Sequence, residues 1–387
     1  MVDFRLTEPQ EELRRVAREF AQQEIAPVAM QHDKSGEFPW EIYRKAHAIG
    51  LLNTTVPTEY GGGGLGAFEC CLIVEELGAG CAGITTSIMV NELGVMPILV
   101  GGSEAQKRRF LTPFCSGFNL GAFCLTEPGA GSDVAAMSTS ARLDGDAYIL
   151  NGTKTFITNG SVASLYTVFA TRDKRLRHAG ISGFIVPAST PGISRGKKFD
   201  KMGQRASDTA EVIFEDVRVP RDQLLGAEDE GFRIAMVTLD RTRPMIAAMS
   251  VGLARAAMEA AIRYARERVA FGATIGHHQA IQLMLADMAK DIEAARLLTW
   301  QCAWLIDQGE PATKESSFAK CFATDVAMRV TTDAVQIFGG YGFMEDYPVA
   351  KCFRDAKILQ IYEGTNQIQR IVIARHLLGL VESKDRV

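Results

Sequence analysis

The sequence has no long apolar run and no surplus of either charge. No uninterrupted apolar stretch reaches the roughly 20 residues needed to cross a bilayer, so no membrane span is expected. With 42 Lys and Arg against 46 Asp and Glu, the net charge is −4. That balance gives no reason to expect nucleic acid or an anionic lipid surface as a partner. The eight cysteines are scattered; only Cys70 and Cys71 lie close together, and no Cys-x-x-Cys occurs. This pattern predicts reduced thiols in a cytosol-like compartment rather than a disulfide framework. Six histidines form no His-Glu-x-x-His, and the adjacent His277 and His278 diverge on a helix, so no metal site is expected. Internal repeats and low-complexity segments are absent from the sequence. Asp3, Arg5, Glu8, Glu11 and Glu12 near the start give no expectation of a signal or transit peptide.

What is present is a chain of 387 residues, 47% hydrophobic and 23% charged, enough for two or three globular domains. Leu13, Val16, Ala17 and Phe20 share one face of a helix, which Pro27 ends or kinks. A second helix is expected around Trp40 to Leu52, followed by a turn at Gly61 to Gly64. Helical spacing resumes from Leu72 to Leu77 and again after Glu92. Between residues 121 and 230 the pattern becomes β-like. Tyr148 to Leu150, an Asn151-Gly152 turn and Thr153 to Thr158 read as a hairpin, with Asp144-Gly145 as a further turn upstream. Short β runs follow at Gly183 to Val186 and Val212 to Phe214. Beyond Phe232 the chain is rich in Ala, Leu and Arg, and long helices are expected at Ala247 to Arg268, Ile281 to Gln308 and Phe318 to Phe338. The fold class is therefore α+β and mostly α: an N-terminal helical domain over 1–120, an antiparallel β domain over 121–230 and a helical domain over 231–387.

Four segments offer chemistry. Tyr362-Glu363-Gly364-Thr365 sets one carboxylate in a break between helices, a placement suited to proton abstraction. A Glu beside a helix start also serves simply to complement the helix dipole. Cys124 to Asp133 carries two glycines with Thr126 and Ser132, either a ligand-binding loop or a polar connector. Phe156 to Gly160 places an aromatic face beside Thr158, suited to a flat cofactor or to β-core filling. Gln336 to Gly342 ends a helix at Gly339 or Gly340, as a C-cap or as room for a pyrophosphate. Arg268, Phe271 and Gln279, between two long helices, are further donor and stacking candidates.

Taken together, these segments resemble the acyl-CoA dehydrogenase family from end to end. Cys124 to Asp133 is similar to one family signature and Gln336 to Asp355, with Gly339, Gly340, Gly342, Lys351 and Asp355, to the other. Met202-Gly203-Gln204-Arg205, Thr242-Arg243-Pro244 and the Glu363 segment look most like the medium-chain and short-chain branch. The resemblance implies a C-terminal four-helix bundle, a homotetramer, one FAD per subunit, acyl-CoA as substrate and electron-transferring flavoprotein as acceptor. It places the protein in fatty-acid β-oxidation, in bacterial cytoplasm or, for a processed eukaryotic form, the mitochondrial matrix. By resemblance, Glu363 removes the α-proton while the β-hydride passes to flavin N5, giving trans-2-enoyl-CoA, with the Glu363 N–H helping to hold the enolate oxygen. Some relatives carry the base near the position of Thr242, but neither Arg241 nor Thr242 is acidic here.

The same carry-over assigns Phe123, Leu125, Thr126, Phe156 and Thr158 to the flavin, and Ser132 to the FAD or pantetheine chain. Arg268, Phe271, Gln279, Gln336 and Gly340 reach FAD in a neighbouring subunit, while Thr365 and Gln367 complete the cofactor site. Asp240, Thr242, Arg243, Tyr362, Gly364 and Met89 are assigned to substrate, with Gly364 leaving room for the thioester. Asp240 also reads as a solvated helix charge. Ala270 and Phe156 stand where the family more often has Thr and Trp, and Thr85 and Met89 where it has Gln and Glu. With Val90, Met89 is expected to shorten the acyl pocket or shape it for a branched or ring-bearing group. The alternatives are an acyl-CoA oxidase, action on a branched, alicyclic or functionalised acyl-CoA, and, last, a non-catalytic scaffold.

Overall fold

A computed structural model describes residues 4–380; Asp3 and the outermost ends of the first and third expected domains lie outside them. The N-terminal part is helical: α1 (Glu8–Phe20), α2 (Ala29–Ser35), α3 (Trp40–Ala48), α4 (Ala67–Gly80), α5 (Ala82–Gly101) and α6 (Glu104–Ser116). Thr7 and Gln10 form a capping box at the start of α1. Pro27 does not stop the chain from winding on. A π turn at Ala21–Ile25 and a 3-10 turn at Ala26–Val28 carry it into α2, and the proline sits where its missing N–H is tolerated.

The middle part is an eight-stranded sheet: β1 (Gly121–Cys124), β2 (Ser140–Asp144), β3 (Ala147–Thr158), β4 (Leu165–Thr171), β5 (Ile181–Pro187), β6 (Ile193–Lys198), β7 (Thr209–Pro220) and β8 (Leu224–Leu225). Its order is β6-β7-β3-β2-β4-β5-β8, with β1 beside β4. The pairing is mainly antiparallel, but β1 and β4 run parallel, and so does the single β2–β4 pair. The expected turn at Asp144-Gly145 joins β2 to β3. The hairpin expected at Asn151-Gly152 does not form: β3 passes straight through, and its register against β7 shifts between Leu150 and Gly152. The reasons are local. The Asn151 amide exchanges hydrogen bonds with Asp216 across the strands, and a Cβ at Gly152 would lie 2.5 Å from Thr139 Oγ1. Here glycine answers a close packing contact inside a bulge rather than a turn.

The C-terminal part comprises α7 (Gly231–Glu267), a two-residue hairpin of β9 (Val269–Ala270) and β10 (Ala273–Thr274), α8 (Gln279–Asp307), α9 (Thr313–Phe338), α10 (Pro348–Leu359) and α11 (Asn366–Leu377). α7 begins well before the expected Ala247 and contains Pro244. Proline removes the hydrogen bond to the carbonyl four residues back. That carbonyl, of Asp240, instead accepts from Ser316 Oγ of α9 at 2.9 Å, so the helix continues and is tied to its neighbour. α7, α8, α9 and α10 pack around an apolar core, and α4 and α5 of the first part join them there. By length and composition, α5 and α7 are each able to cross a membrane, yet most of each is buried within the protein.

Candidate active site

Glu363 lies in the short break between α10 and α11, where two successive residues take left-handed backbone angles: φ 51° at Glu363 and 90° at Gly364. The first costs about 1–2 kcal/mol for a residue with a Cβ, so the surroundings must enforce it. They do so through two carbonyls. Glu363 O accepts from Arg243 Nε at 3.1 Å and Gln369 Nε2 at 3.3 Å. Gly364 O accepts from Lys320 Nζ at 2.8 Å and from the same Gln369 amide at 3.1 Å. Behind them Asn366 is buried and bonded to Lys320, Thr324, Cys321 and Asp325 of α9, and Thr365 caps α11 through Ile368 N. Among the described residues the Glu363 N–H donates to no backbone or side-chain acceptor. The glycine at 364 therefore has an internal cause: a Cβ would meet Gln369 Nε2 at 2.5 Å, and the positive φ disfavours any side chain. Room for a thioester is not needed to explain it.

The carboxylate itself is approached from α7, with Thr242 Oγ1 donating to Glu363 Oε2 at 2.8 Å. Burial pushes the Glu363 carboxyl above the usual carboxylate range, while Thr242, Arg243 and Lys320 pull against it. Asp240 is not a solvated helix charge: half-buried, it pairs with Arg243 at 2.5 Å and accepts from Thr313 Oγ1 at 2.6 Å. It thereby aims the guanidinium that holds Glu363 O.

Tyr362 is half-buried on the other side of the break, with Gln204 Nε2 3.5 Å from its hydroxyl. Gln204 accepts from Thr86 Oγ1 of α5 at 2.8 Å and donates its backbone N–H to Asp355, which pairs with buried Lys351. One glutamine thus joins α5, the loop after β6 and α10 beside the break that holds Glu363. Met89 is buried in the same apolar cluster as Met245 and Met249, with Tyr362 packed against it. The Thr85 hydroxyl is turned back onto Cys81 O at 2.9 Å, and Val90 is buried nearby on α5.

The expected flavin residues form a second group. Thr155 N donates to Thr126 O at 2.9 Å, and buried Lys154 Nζ reaches Leu125 O at 3.0 Å and Glu127 Oε1 at 2.9 Å. The loop after β1 is thereby fastened to the end of β3. Phe156 there has φ 56° and is 62% exposed, while Thr158 and Thr126 are half-buried, Phe123 packs on Phe169, and Ser132 is exposed. A Cβ at Gly129 or Gly131 would meet nothing within 4 Å. Arg268, Phe271, Gln279, Gln336 and Gly340 form a third, exposed group at the ends of α7, α8 and α9, with Arg268 over the Tyr341 ring. Phe271 is 98% exposed and Gln367 also faces outward. Lys320, Gln369, Gln204 and the Lys154–Glu127 pair were not singled out from sequence. The available signal was a lone lysine within the small, apolar run Ser316 to Ala323, and an Asn followed by a Gln three positions on after Glu363.

Sequence profiles of the acyl-CoA dehydrogenase N-terminal, middle and C-terminal domains match residues 7–118, 122–217 and 229–378. The chain is 47% identical to the mitochondrial short-chain specific acyl-CoA dehydrogenase of Bos taurus over 96% of its own length and 91% of that protein's. Butyryl-CoA dehydrogenase from Megasphaera elsdenii superposes with a TM-score of 0.95 at 44% identity, covering 97% of this chain and 100% of that one. A structure described as the electron transferring flavoprotein of Acidaminococcus fermentans gives a TM-score of 0.95 at 49% identity, with the same coverage. With three consecutive domain profiles matched and relatives of this similarity aligned over nearly all its length, the chain belongs to the acyl-CoA dehydrogenase family.

Proposed function

We propose that the chain is an FAD-dependent dehydrogenase of short-chain acyl-CoA thioesters, making trans-2-enoyl-CoA and delivering electrons to electron-transferring flavoprotein. The observation that carries this reading is the Glu363 carboxylate, half-buried, oriented by Thr242 and next to its own unpaired backbone N–H. A carboxylate whose affinity for protons is raised by desolvation is matched to removing a weakly acidic α-proton. The free N–H beside it is a preorganised donor for the oxygen that gains charge as the proton leaves. Arg243, Lys320 and Gln369 keep the flanking carbonyls turned to themselves, away from that developing charge.

The residues present fit FAD. The loop carrying Thr126, Gly129 and Gly131 is tied to the end of β3 at Thr155, next to an exposed Phe156 in an unfavourable backbone conformation and half-buried Thr158, and open space beside both glycines leaves room for a ligand there. Bound FAD supplies the acceptor for the β-hydride. Phe123, Leu125, Thr126, Ser132, Phe156, Thr158, Thr365 and Gln367 would hold it in one subunit. Arg268, Phe271, Gln279, Gln336 and Gly340 would serve a neighbour in a homotetramer, a reading supported by the exposed apolar side chains of Val269, Phe271, Phe343 and Leu377.

Met89, Met245 and Met249 belong to the apolar cluster against which Tyr362 packs, and their bulk supports a short acyl chain, in line with the short-chain and butyryl-CoA enzymes that the chain resembles. Eight free cysteines, seven of them buried, suit a reducing compartment such as bacterial cytoplasm or mitochondrial matrix. The test is anaerobic bleaching of the purified yellow protein by butyryl-, hexanoyl-, octanoyl- and isovaleryl-CoA, with Glu363→Gln beside the native chain. Fast bleaching by butyryl-CoA, lost by ~100-fold or more in Glu363→Gln, is the expected result. Unchanged bleaching in that variant overturns the assignment of the base.

A further inference from the structure

Lys320 is a cation without solvent. Its side chain is fully buried in α9, among Ser316, Ser317, Ala319, Ala323 and Thr324, which are themselves buried. Its ammonium donates to Gly364 O at 2.8 Å and to Asn366 Oδ1 at 3.0 Å, and no carboxylate lies within ion-pair distance of it among the described residues. Burying a lysine is costly in desolvation, and here two acceptors oppose that cost. Both of its acceptors belong to the segment immediately following Glu363.

We propose that Lys320 is a positioning residue for the reaction, fixing the Glu363–Gly364 segment by its hydrogen bond to Gly364 O and holding Glu363 ionised through the positive potential of its ammonium. The proposal rests on Glu363 being the base. The groups facing this pair are few. From α7 come Arg243, neutralised by Asp240, and the Thr242 hydroxyl; from α9 come Cys321 and Asp325, the latter paired with Arg370 of α11. Burial depresses the Lys320 ammonium to about 7, with Glu363 opposing that fall. Lys320 and Glu363 thus exchange influence across the pH range in which the enzyme would work. Arg243 is a permanent charge paired with Asp240, and Lys320 adds a second positive charge to its effect on Glu363, one that has no carboxylate of its own within ion-pair distance among the described residues.

The test compares Lys320→Met, Lys320→Gln and Lys320→Arg in the FAD-loaded protein, measuring kcat/KM for butyryl-CoA from pH 5.5 to 9, flavin content and thermal melting. Gln keeps a donor toward Gly364 O without the charge, Met keeps neither, and Arg keeps the charge. In Met and Gln the acid limb is expected to move to higher pH, lowering kcat/KM at pH 6 by roughly fivefold or more relative to the plateau, while Arg retains the native limb. Met is expected to lose plateau kcat as well, and Gln to retain more of it. Folded, flavin-loaded Met or Gln variants with an unmoved limb overturn the proposal. So does failure of both to fold while Arg folds normally, which assigns the lysine to the fold alone. Glu363→Gln, run in parallel, separates the two readings. Activity surviving in that variant removes the base, whereas its loss with unmoved Lys320 profiles removes only the present inference.

Discussion

Thr242 Oγ1 and Glu363 Oε2 stand 2.8 Å apart, so the hydroxyl of α7 is the carboxylate's direct hydrogen-bond partner. Thr242 lies near the position at which, by family resemblance, some relatives carry the base itself. In this chain the residue there is a hydrogen-bond donor to Glu363. A hydrogen bond to an ionised group contributes about 1.5–3 kcal/mol, and it favours the charged form. Thr242→Val keeps the shape and removes the donor. Its kcat/KM for butyryl-CoA is expected to fall about tenfold at pH 6 and to approach the native value above pH 8.5, where the carboxylate forms without help. A uniform loss at every pH would mean that Thr242 acts through substrate placement instead.

Glu363 is also expected to weaken the fold that holds it. Burial raises its carboxyl above the usual range, so the native state binds this proton more tightly than the unfolded chain does. Stability from such a group is full below the unfolded value and is lost as pH rises through the folded one. At neutral pH the ionised Glu363 is therefore a cost, and Glu363→Gln, an isosteric neutral replacement, should melt at higher temperature than the native apoprotein at pH 8 while losing turnover. The difference should shrink below pH 4.5, the ordinary value of this carboxyl. Equal melting temperatures at both pH values would show that the carboxylate is solvated in the resting protein.

The opposite sign applies to Glu127 and Glu76. Burial raises both carboxyls, but Lys154 with Ser138 and Thr139 in the first case, and Arg18, Arg255 and Arg14 in the second, more than reverse it and bring each to about 2. Their stabilisation is present above about 4.5 and is lost as pH falls from there toward 2. Acid unfolding of the apoprotein should fall in that window. Lys154→Met leaves Glu127 charged and unpaired in a buried site, at a cost of about 3–5 kcal/mol. Because Lys154 also fastens Leu125 O beside Phe156, the same variant should lose FAD on gel filtration. A variant that melts normally and stays yellow would contradict this role.

Much of this arrangement was legible in the sequence because it is local. The helices from Ile281 and Phe318 and the carboxylate in its break depend on periodicity and breakers a few residues apart, and the structure places them where those signals lie. Asn151-Gly152 misled because a strong hairpin dipeptide was overridden by a distant partner: Thr139 presses on Gly152 and Asp216 captures Asn151. Pro244 hid the sixteen residues of helix before Ala247 for the same kind of reason, since the carbonyl it frees, of Asp240, is satisfied by Ser316, 76 positions further along the chain. The support of Glu363 was illegible on similar grounds. Arg243, Lys320 and Gln204 lie on three separated segments and converge only when α7, α9 and the loop after β6 are packed together.

Met89 tests how the acyl chain is measured. It is 5% exposed and packed in the cluster shared by Met245, Met249 and Tyr362, with the Thr86 hydroxyl 3.5 Å from Met249 Sδ. The unbranched thioethers fill space that additional methylenes of a longer substrate would need. Met89→Ala opens that space at a cost of about 2–5 kcal/mol in stability. Each buried methylene contributes about 0.8 kcal/mol, so hexanoyl-CoA should gain roughly tenfold in kcat/KM relative to butyryl-CoA in the variant. Val90→Ala, a similar truncation on the next residue of α5, controls for general loosening. If both variants shift the chain-length ratio equally, the pocket is not bounded by Met89, and the limit lies with Met245 and Met249 on α7.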